Sequence, residues 1–571
     1  MPPSRSSAAT RACDSCRRRK VKCDATEVCA NCRISQLSCR YTSVPRKRGP
    51  KVPGTPRIQR PQDHGPIADD QLWLSPVSYT EHPEPGEATS SSQSGQLANI
   101  FSQPVAETTL GPTPEWAQSV RDGLLAFMSS ALPAVPALEA VNKCIDVYMQ
   151  YTFPTTPMVH EPTLRASASR FFSSTGTTDL FEGQTQQEEI ARIQAFSLIT
   201  ALCASVSSVM PDSLLPHRQI LASPCLEASR EMLKAIEDYD IENPNSSSIV
   251  IRIFHATALQ HLTGKTALSY FILGQATLLI RHMRLHSEEA LMSHDALEGQ
   301  LLRYIFWQLY AADKASICLS SRPVLLHELL FDEEPSLRQS GETLIPLLDV
   351  TRPWYGESFE ERLLVGFHFL PRLWSSAASL IFDMRLYARD NQHANKAHLT
   401  QTYMEFLGIM DGLPPWLQAA NVIITHDDGE AAQFQKTAFW VQRCTVLVTF
   451  QCLRLVILQQ CIESKVWDVM GLNDQALTLP MTKIGMVHDF VQTLDDIPFV
   501  YLQVKGEPTV ERIRRVGSVL LEIIDNVSNE TIIMRAEHYF TRLLDLLARL
   551  DSKSSDVLAE LKELSQARRR D

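Results

Sequence analysis

Apolar positions divide the chain into three stretches of different texture. From residue 116 to the end they recur every three or four residues almost without pause, and the strict alternation of half-buried strands is scarce. Ala191 to Val209 and Ser269 to Leu285 each carry a broad apolar face at helical spacing. Glycine is sparse there, so residues 116–571 predict one large all-α domain, of one or two lobes, with short loops. Residues 43–115 differ. Proline stands at 45, 50, 53, 56, 61, 66, 76, 83, 85, 104, 112 and 114 among Ser, Gly, Gln and Thr. No helix or heptad survives such spacing, so this stretch predicts a disordered Pro/Ser-rich linker. Residues 10–42 carry too few apolar side chains for a core and are dense in cysteine.

Six cysteines fall within 27 residues: Cys13, Cys16, Cys23, Cys29, Cys32 and Cys39. Their spacing repeats one unit, C-x2-C-x6-C, twice. Zinc takes four tetrahedral ligands and thiolates serve well. One closed four-thiolate site would leave two cysteines over, whereas two ions sharing two bridging thiolates use all six. The repeat favours the two-zinc solution. Six thiolates outweigh the charge of two zinc ions, and the neighbouring Arg and Lys offset the excess. Metal binding then supplies the folding energy, because about thirty residues cannot bury a sufficient core. A purely structural zinc module or a redox thiol cluster would explain the cysteines but not the basic insert.

That insert is Arg17-Arg18-Arg19-Lys20-Val21-Lys22, between the second and third cysteines. The corresponding stretch after Cys32, Arg33 to Ser38, is nearly neutral, so only the first half offers a strongly cationic helix. Lys and Arg pair with guanine O6 and N7 in the major groove. Lys20, with Arg19 beside it, is the expected base contact. Arg17, Arg18, Lys22, Arg33 and Arg40 are expected on phosphates, which set register without reading sequence. Residues 1–60 hold fifteen Lys/Arg against three Asp/Glu, within a chain whose net charge is −11. A basic head on an acidic body predicts that the head meets double-stranded DNA and the body meets other partners.

The head resembles the fungal Zn(II)2Cys6 binuclear-cluster transcription factors. The resemblance implies two zinc ions bridged by Cys13 and Cys29, with Lys20 reading a CGG triplet. The family usually has a proline in the loop before the fourth cysteine; Thr26-Glu27-Val28 stand there in this chain, which predicts a less rigid turn. Arg46, Lys47, Arg48 and Lys51 open the linker as a candidate nuclear-import signal or phosphate contact, similar to the basic sequence in the maltose-regulator-like branch. Asp69-Asp70-Gln71-Leu72-Trp73-Leu74 is either a coactivator contact or, as favoured, a chance apolar cluster.

Three stretches of the body resemble the regulatory domain found behind the cluster in this family. They are Tyr148 to His160, Gly274 to His286, and Leu302 to Pro323, in which Arg284, Lys314 and Ser321 replace a usual Gly, Arg and Gly. Arg303, Asp313 and Arg322 are expected in one buried charge network, in preference to an acid-binding site. Trp307, Phe306 and Phe271 are expected in the core, and His286 as a satisfied helix-end residue. Near the end, Ile533, Ala536, Phe540, Leu543, Leu547, Leu550, Val557, Leu561 and Leu564 form a heptad-like seam. It suits either a homodimer or, as favoured, packing on its own domain.

Nothing in the sequence supports an enzyme: it has no G-x-G-x-x-G, Walker A, G-x-S-x-G or H-E-x-x-H pattern. No uninterrupted apolar run of membrane-spanning length and no apolar segment after Met1 stand out, so no membrane partner is expected. The seven further cysteines are scattered through apolar stretches, as suits a reducing compartment, and the sequons at Asn245, Asn526 and Asn529 are then chance matches. The expected protein is a nuclear, sequence-specific regulator of RNA polymerase II transcription, with transcription machinery or a coactivator as partner. Activation is preferred to repression on the family's habit, and a secondary-metabolite gene cluster to carbon-source genes. The rival is a non-catalytic chromatin or metabolic protein that uses its zinc module as a tether.

Overall fold

The computed structural model describes Cys13, Asp14, Cys16, Cys23, Asp24, Thr26, Val28, Cys29, Cys32, Cys39 and Arg40, then residues 113–550 apart from 174–179, 321, 333–334, 337–343, 357, 390–395, 474 and 476. The chain separates into two compact units, residues 1–103 and 104–571. The segment 69–74 and the basic run 46–51 lie outside the described residues.

In the second unit every element among the described residues is a helix. Those of twelve residues or more are α1 (Pro114–Ala131), α2 (Ala137–Tyr151), α3 (Glu161–Phe172), α4 (Gln186–Val209), α5 (Arg218–Ala235), α6 (Ser246–Thr263), α7 (Thr266–His282), α8 (Ala296–Ser320), α9 (Phe369–Arg389), α10 (Lys396–Gly408), α11 (Glu430–Glu463), α12 (Thr478–Asp495), α13 (Glu507–Asn526) and α14 (Glu530–Arg549). Local chemistry marks their starts. Thr113 caps α1 by accepting from the Trp116 N–H, with Pro114 in the first turn. Asn245 and Ser248 form a reciprocal capping box on α6, and Asn529 caps α14. Two of the three sequon asparagines are thus helix caps.

Two long helices organise the core. α4 packs against α5 and α6, and α11 against α9, α12 and α13. Both are apolar around most of their circumference, which is the pattern of an interior helix. Phe171, Phe172, Phe181 and Phe196 lock α3 to α4 through stacked and edge-on rings with centroids 5.2 to 5.8 Å apart. Each ring contributes roughly 1.5–3 kcal/mol by burial alone. By length and hydropathy α4 and α11 would also suit a membrane span, a point the sequence reading missed. In the fold, 72% and 67% of their most apolar windows are buried inside the body, so they serve as core helices. At Gly366 a Cβ would meet the Gln442 amide oxygen at 2.2 Å. That closeness lets the buried Gln442 donate to the carbonyls of Leu363 (2.7 Å) and Pro154 (2.6 Å), tying three segments together.

The expectation of short loops fails between α8 and the Phe359–Phe367 helix. The described residues between 322 and 358 form a long strap whose only regular element is the single turn Glu328–Leu330. Side chains anchored in helices satisfy its backbone. Asp313 accepts from the N–H groups of Leu325 (3.0 Å) and Leu326 (2.9 Å). Gln300 exchanges two bonds with Ile345, Glu360 takes the Leu347 and Leu348 N–H groups, and Glu161 takes that of Asp349. Polar side chains here substitute for the regular ladder that a buried backbone otherwise requires.

Arg303, Asp313 and Arg322 do not form the expected shared network. Arg303 pairs with Glu288, Asp313 holds the strap, and Arg322 lies over the Tyr270 ring at 4.1 Å. Spacing put them near one another in sequence, but each finds a separate partner: Glu288, the strap backbone and the Tyr270 ring. Phe306 and Trp307 are buried as expected, whereas Phe271 is 63% exposed. α7 is apolar on several faces, so periodicity could not say which face the body covers. His286 stacks on Phe331, with ring centroids 4.9 Å apart. Arg284 sits at φ 53, the left-handed region that favours Gly. In α14, Ala536, Phe540, Leu543 and Leu547 are buried within the single chain, and the helix packs on α13 and α12. That central part of the seam serves intramolecular packing; residues 551–571 lie outside the described residues.

Candidate metal centre and nucleic-acid interface

In the first unit, Cys13, Cys16, Cys29 and Cys32 are all buried, at 0 to 1% exposure, with Cys23 and Cys39 partly buried around them. Among the described residues the interior of this unit is made of sulfur, not hydrocarbon. The Cys13 Sγ lies 3.7 Å from Cys29 Sγ and 3.5 Å from Cys32 Sγ, and the Cys16 and Cys29 sulfurs are 3.5 Å apart. Tetrahedral thiolates on zinc at ~2.3 Å have sulfurs roughly 3.8 Å apart, so this spacing suits a zinc cage.

The sequence repeat reappears as a repeat of hydrogen bonds. The Cys16 N–H donates to Cys13 Sγ (3.4 Å), and the Cys32 N–H donates to Cys29 Sγ (3.3 Å). The Cys13 N–H points at Cys23 Sγ (3.5 Å), and the Cys29 N–H at Cys39 Sγ (3.3 Å). Each bond in one half has its counterpart sixteen residues on. Cys13 and Cys29 occupy the same central place in the two halves. Between the halves, the Asp14 N–H donates to the Arg40 carbonyl at 2.8 Å, closing the end of the second unit of the motif onto the start of the first.

Electrostatics argue that the cage wants cations. The N–H from Cys16 lowers the Cys13 thiol to about 6, while burial pushes Cys16 up to about 12 and raises Cys29 and Cys32 as well. Four thiols this close cannot all ionise unless positive charge sits among them. Two divalent ions supply it.

The loop in which the family's proline is missing is held another way. Asp24 Oδ1 accepts from Thr26 Oγ1 (3.1 Å) and the Thr26 N–H (3.5 Å), and Thr26 Oγ1 also bonds the Val28 carbonyl (3.1 Å). This Asx-type turn ties the loop to itself by hydrogen bonds in place of a proline. Asp24 also brings a carboxylate within 4.8 Å of the Cys23 and Cys29 sulfurs, an arrangement that spacing alone did not suggest. Arg40 is exposed. Arg17, Arg18, Arg19, Lys20, Lys22 and Arg33, and the import candidates Arg46, Lys47, Arg48 and Lys51, lie outside the described residues.

Residues 11–48 match the family model of the fungal Zn(2)-Cys(6) binuclear cluster domain. The chain therefore carries a zinc-cluster, DNA-binding domain. Such a domain binds two zinc ions, and its presence implies a fungal transcription regulator, a class that is non-enzymatic and generally nuclear. The match covers the head alone. A search of curated proteins finds nothing that matches this chain.

Proposed function

We propose that the chain is a sequence-specific regulator of RNA polymerase II transcription that docks its cluster domain on CGG-containing DNA. In this reading Cys13, Cys16, Cys23, Cys29, Cys32 and Cys39 hold the two zinc ions, with Cys13 and Cys29 shared between them. The observation that carries it is the twofold thiol cage in which those two sulfurs take equivalent central places. Bound zinc supplies the charge balance and the folding energy of the head.

The residues then divide the work of recognition. Lys20, with Arg19 beside it, reads the guanines, while Arg17, Arg18, Lys22, Arg33 and Arg40 hold phosphates and set the register. Arg46, Lys47, Arg48 and Lys51 serve nuclear import. The acidic helical body recruits transcription machinery as an activator, and the target genes belong to a secondary-metabolite cluster. Dimerisation, where it occurs, is a property of the body.

Selection from random DNA by the zinc-loaded full chain tests this. CGG should be enriched, and Lys20→Ala should remove the enrichment while zinc content stays unchanged, at a cost of about 1–3 kcal/mol in discrimination. Salt-sensitive binding with no enriched triplet would reduce the head to an electrostatic tether. A reporter fusion of residues 43–571 distinguishes activation from repression, and transcript profiling of a deletion strain tests the target class.

A further inference from the structure

Within residues 104–571 a cleft of about 230 Å³ opens between α3, α4, α6 and the start of α8. Its lining includes the hydrocarbon side chains of Leu164, Ala195, Leu198, Val250 and Leu301. It also includes the polar groups of His160, Thr163, Ser167, Ser246, Asp295 and Glu298. Among the described residues no lysine or arginine lines it.

The polar groups are held in place by the fold. Glu298 accepts from the Ser246 N–H (2.5 Å) and Oγ (2.7 Å), so one carboxylate of α8 closes the start of α6. Asp295 accepts from the Glu298 N–H at 3.0 Å and caps α8 itself. His160 Nδ1 bonds Thr163 Oγ1 at 2.7 Å, and burial lowers its pKa. Gln194, which also lines the cleft, is fixed on both sides. Its Nε2 donates to Asp240 (2.8 Å) and Ser248 (3.1 Å), and its Oε1 accepts from Asn245 (2.8 Å). Asp240 is itself paired with the buried Arg252. The cleft is therefore shaped before any ligand arrives, which lowers the cost of binding.

Charge and shape together select the ligand. Two carboxylates, with no cationic side chain among the described lining residues, repel carboxylates and phosphates, the apolar lining accepts a hydrocarbon body, and the hydroxyls offer donors and acceptors. We infer that this cleft binds an uncharged small molecule with an apolar body and a hydroxyl or carbonyl group. The volume suits a ligand of roughly ten non-hydrogen atoms, below the size of drug-like ligands. The inference does not depend on how the head reads DNA.

Benzyl alcohol and benzoate are suitable probes, matched in size, the first uncharged and the second anionic. They are added separately to the zinc-loaded full chain carrying methyl-labelled methionine. Met158 lines the cleft and is 2% exposed, while Met404 and Met534 are exposed elsewhere. Benzyl alcohol should shift the Met158 methyl signal and leave the other two in place, and benzoate at equal concentration should shift none. Ala195→Phe places a ring in the cleft and should weaken the alcohol's binding by about tenfold or more. An unmoved Met158 signal, an equal response to benzoate, or undiminished binding by a folded Ala195→Phe chain would overturn the inference. Should that variant not fold, the comparison of the two probes on the unaltered chain still decides.

Discussion

The two units of this protein keep their shape by opposite means. The head encloses four cysteines at 0 to 1% exposure, packed against two more cysteines and no aliphatic or aromatic core among its described residues. The body encloses a continuous apolar core running from Ala117 to Leu547. In the head a few strong, directional bonds to metal replace the many weak contacts of the body. The difference teaches where each unit is vulnerable. A fold held by ligands depends on pH, chelators and redox state; a fold held by burial depends on volume and on buried charge.

Chelation should separate the two most sharply. Stripping zinc from the full chain should abolish DNA binding and order in the head while leaving the body's helical circular dichroism unchanged. A loss of body helicity on chelation would mean that the units do not have independent sources of stability. The converse change is Trp374→Ala, at a 2% exposed ring over which the Arg512 guanidinium lies at 5.5 Å. It should cost the body about 3–5 kcal/mol through the cavity it leaves, read from urea unfolding, without changing zinc stoichiometry.

Acid tests the body more gently. His255 is 3% exposed and bonded to Ser229 Oγ at 2.7 Å. Burial, with Arg230 and Arg252 nearby, lowers its pKa from 6.5 to about 3. The unfolded chain takes up a proton as pH falls below 6.5, and the folded chain does not until about 3. Stability present above pH 6.5 is therefore lost progressively down to about pH 3. Urea midpoints between pH 7 and pH 4.5 should fall, and less steeply in His255→Gln; equal slopes would remove His255 as a cause. The smallest effect concerns Arg284. Replacing it with Gly relieves φ 53 at the cost of an exposed pair with Asp332, whose side chains are 61% and 81% exposed. Such a pair is worth little. Arg284→Gly should raise body stability by about 1 kcal/mol, and a lowered midpoint would show that the Arg side chain contributes more than its backbone costs.

Much of the head was legible in the residues themselves. The doubled C-x2-C-x6-C spacing anticipated the doubled hydrogen bonds, because ligands a few residues apart on a tight chain can meet one ion in few ways. The helices of the body were legible too: Ala191 to Val209 lies inside α4, and Ser269 to Leu285 largely inside α7. The hydrogen bonds of the turn at Asp24 and Thr26 were not legible, because a missing proline is easier to see in a sequence than the bonds that stand in its place. Phe271 was misplaced because apolar periodicity reports that a helix has faces to bury, not how many of them the fold covers.

The sequence by itself determined the sulfur cage, the class of metal it holds, the charge of the insert between Cys16 and Cys23, and the helical character of the body. All of these arise between residues close along the chain, where spacing and side-chain chemistry act directly. Only the tertiary structure decided that Asp313, Glu161 and Glu360 hold a long strap, that the α14 seam is spent inside its own chain, and that α3, α4, α6 and α8 leave a cleft between them. Those outcomes depend on which surfaces meet across separations as large as the 188 residues from Glu161 to Asp349. Burial sums over every such meeting at once, and no local pattern records the sum.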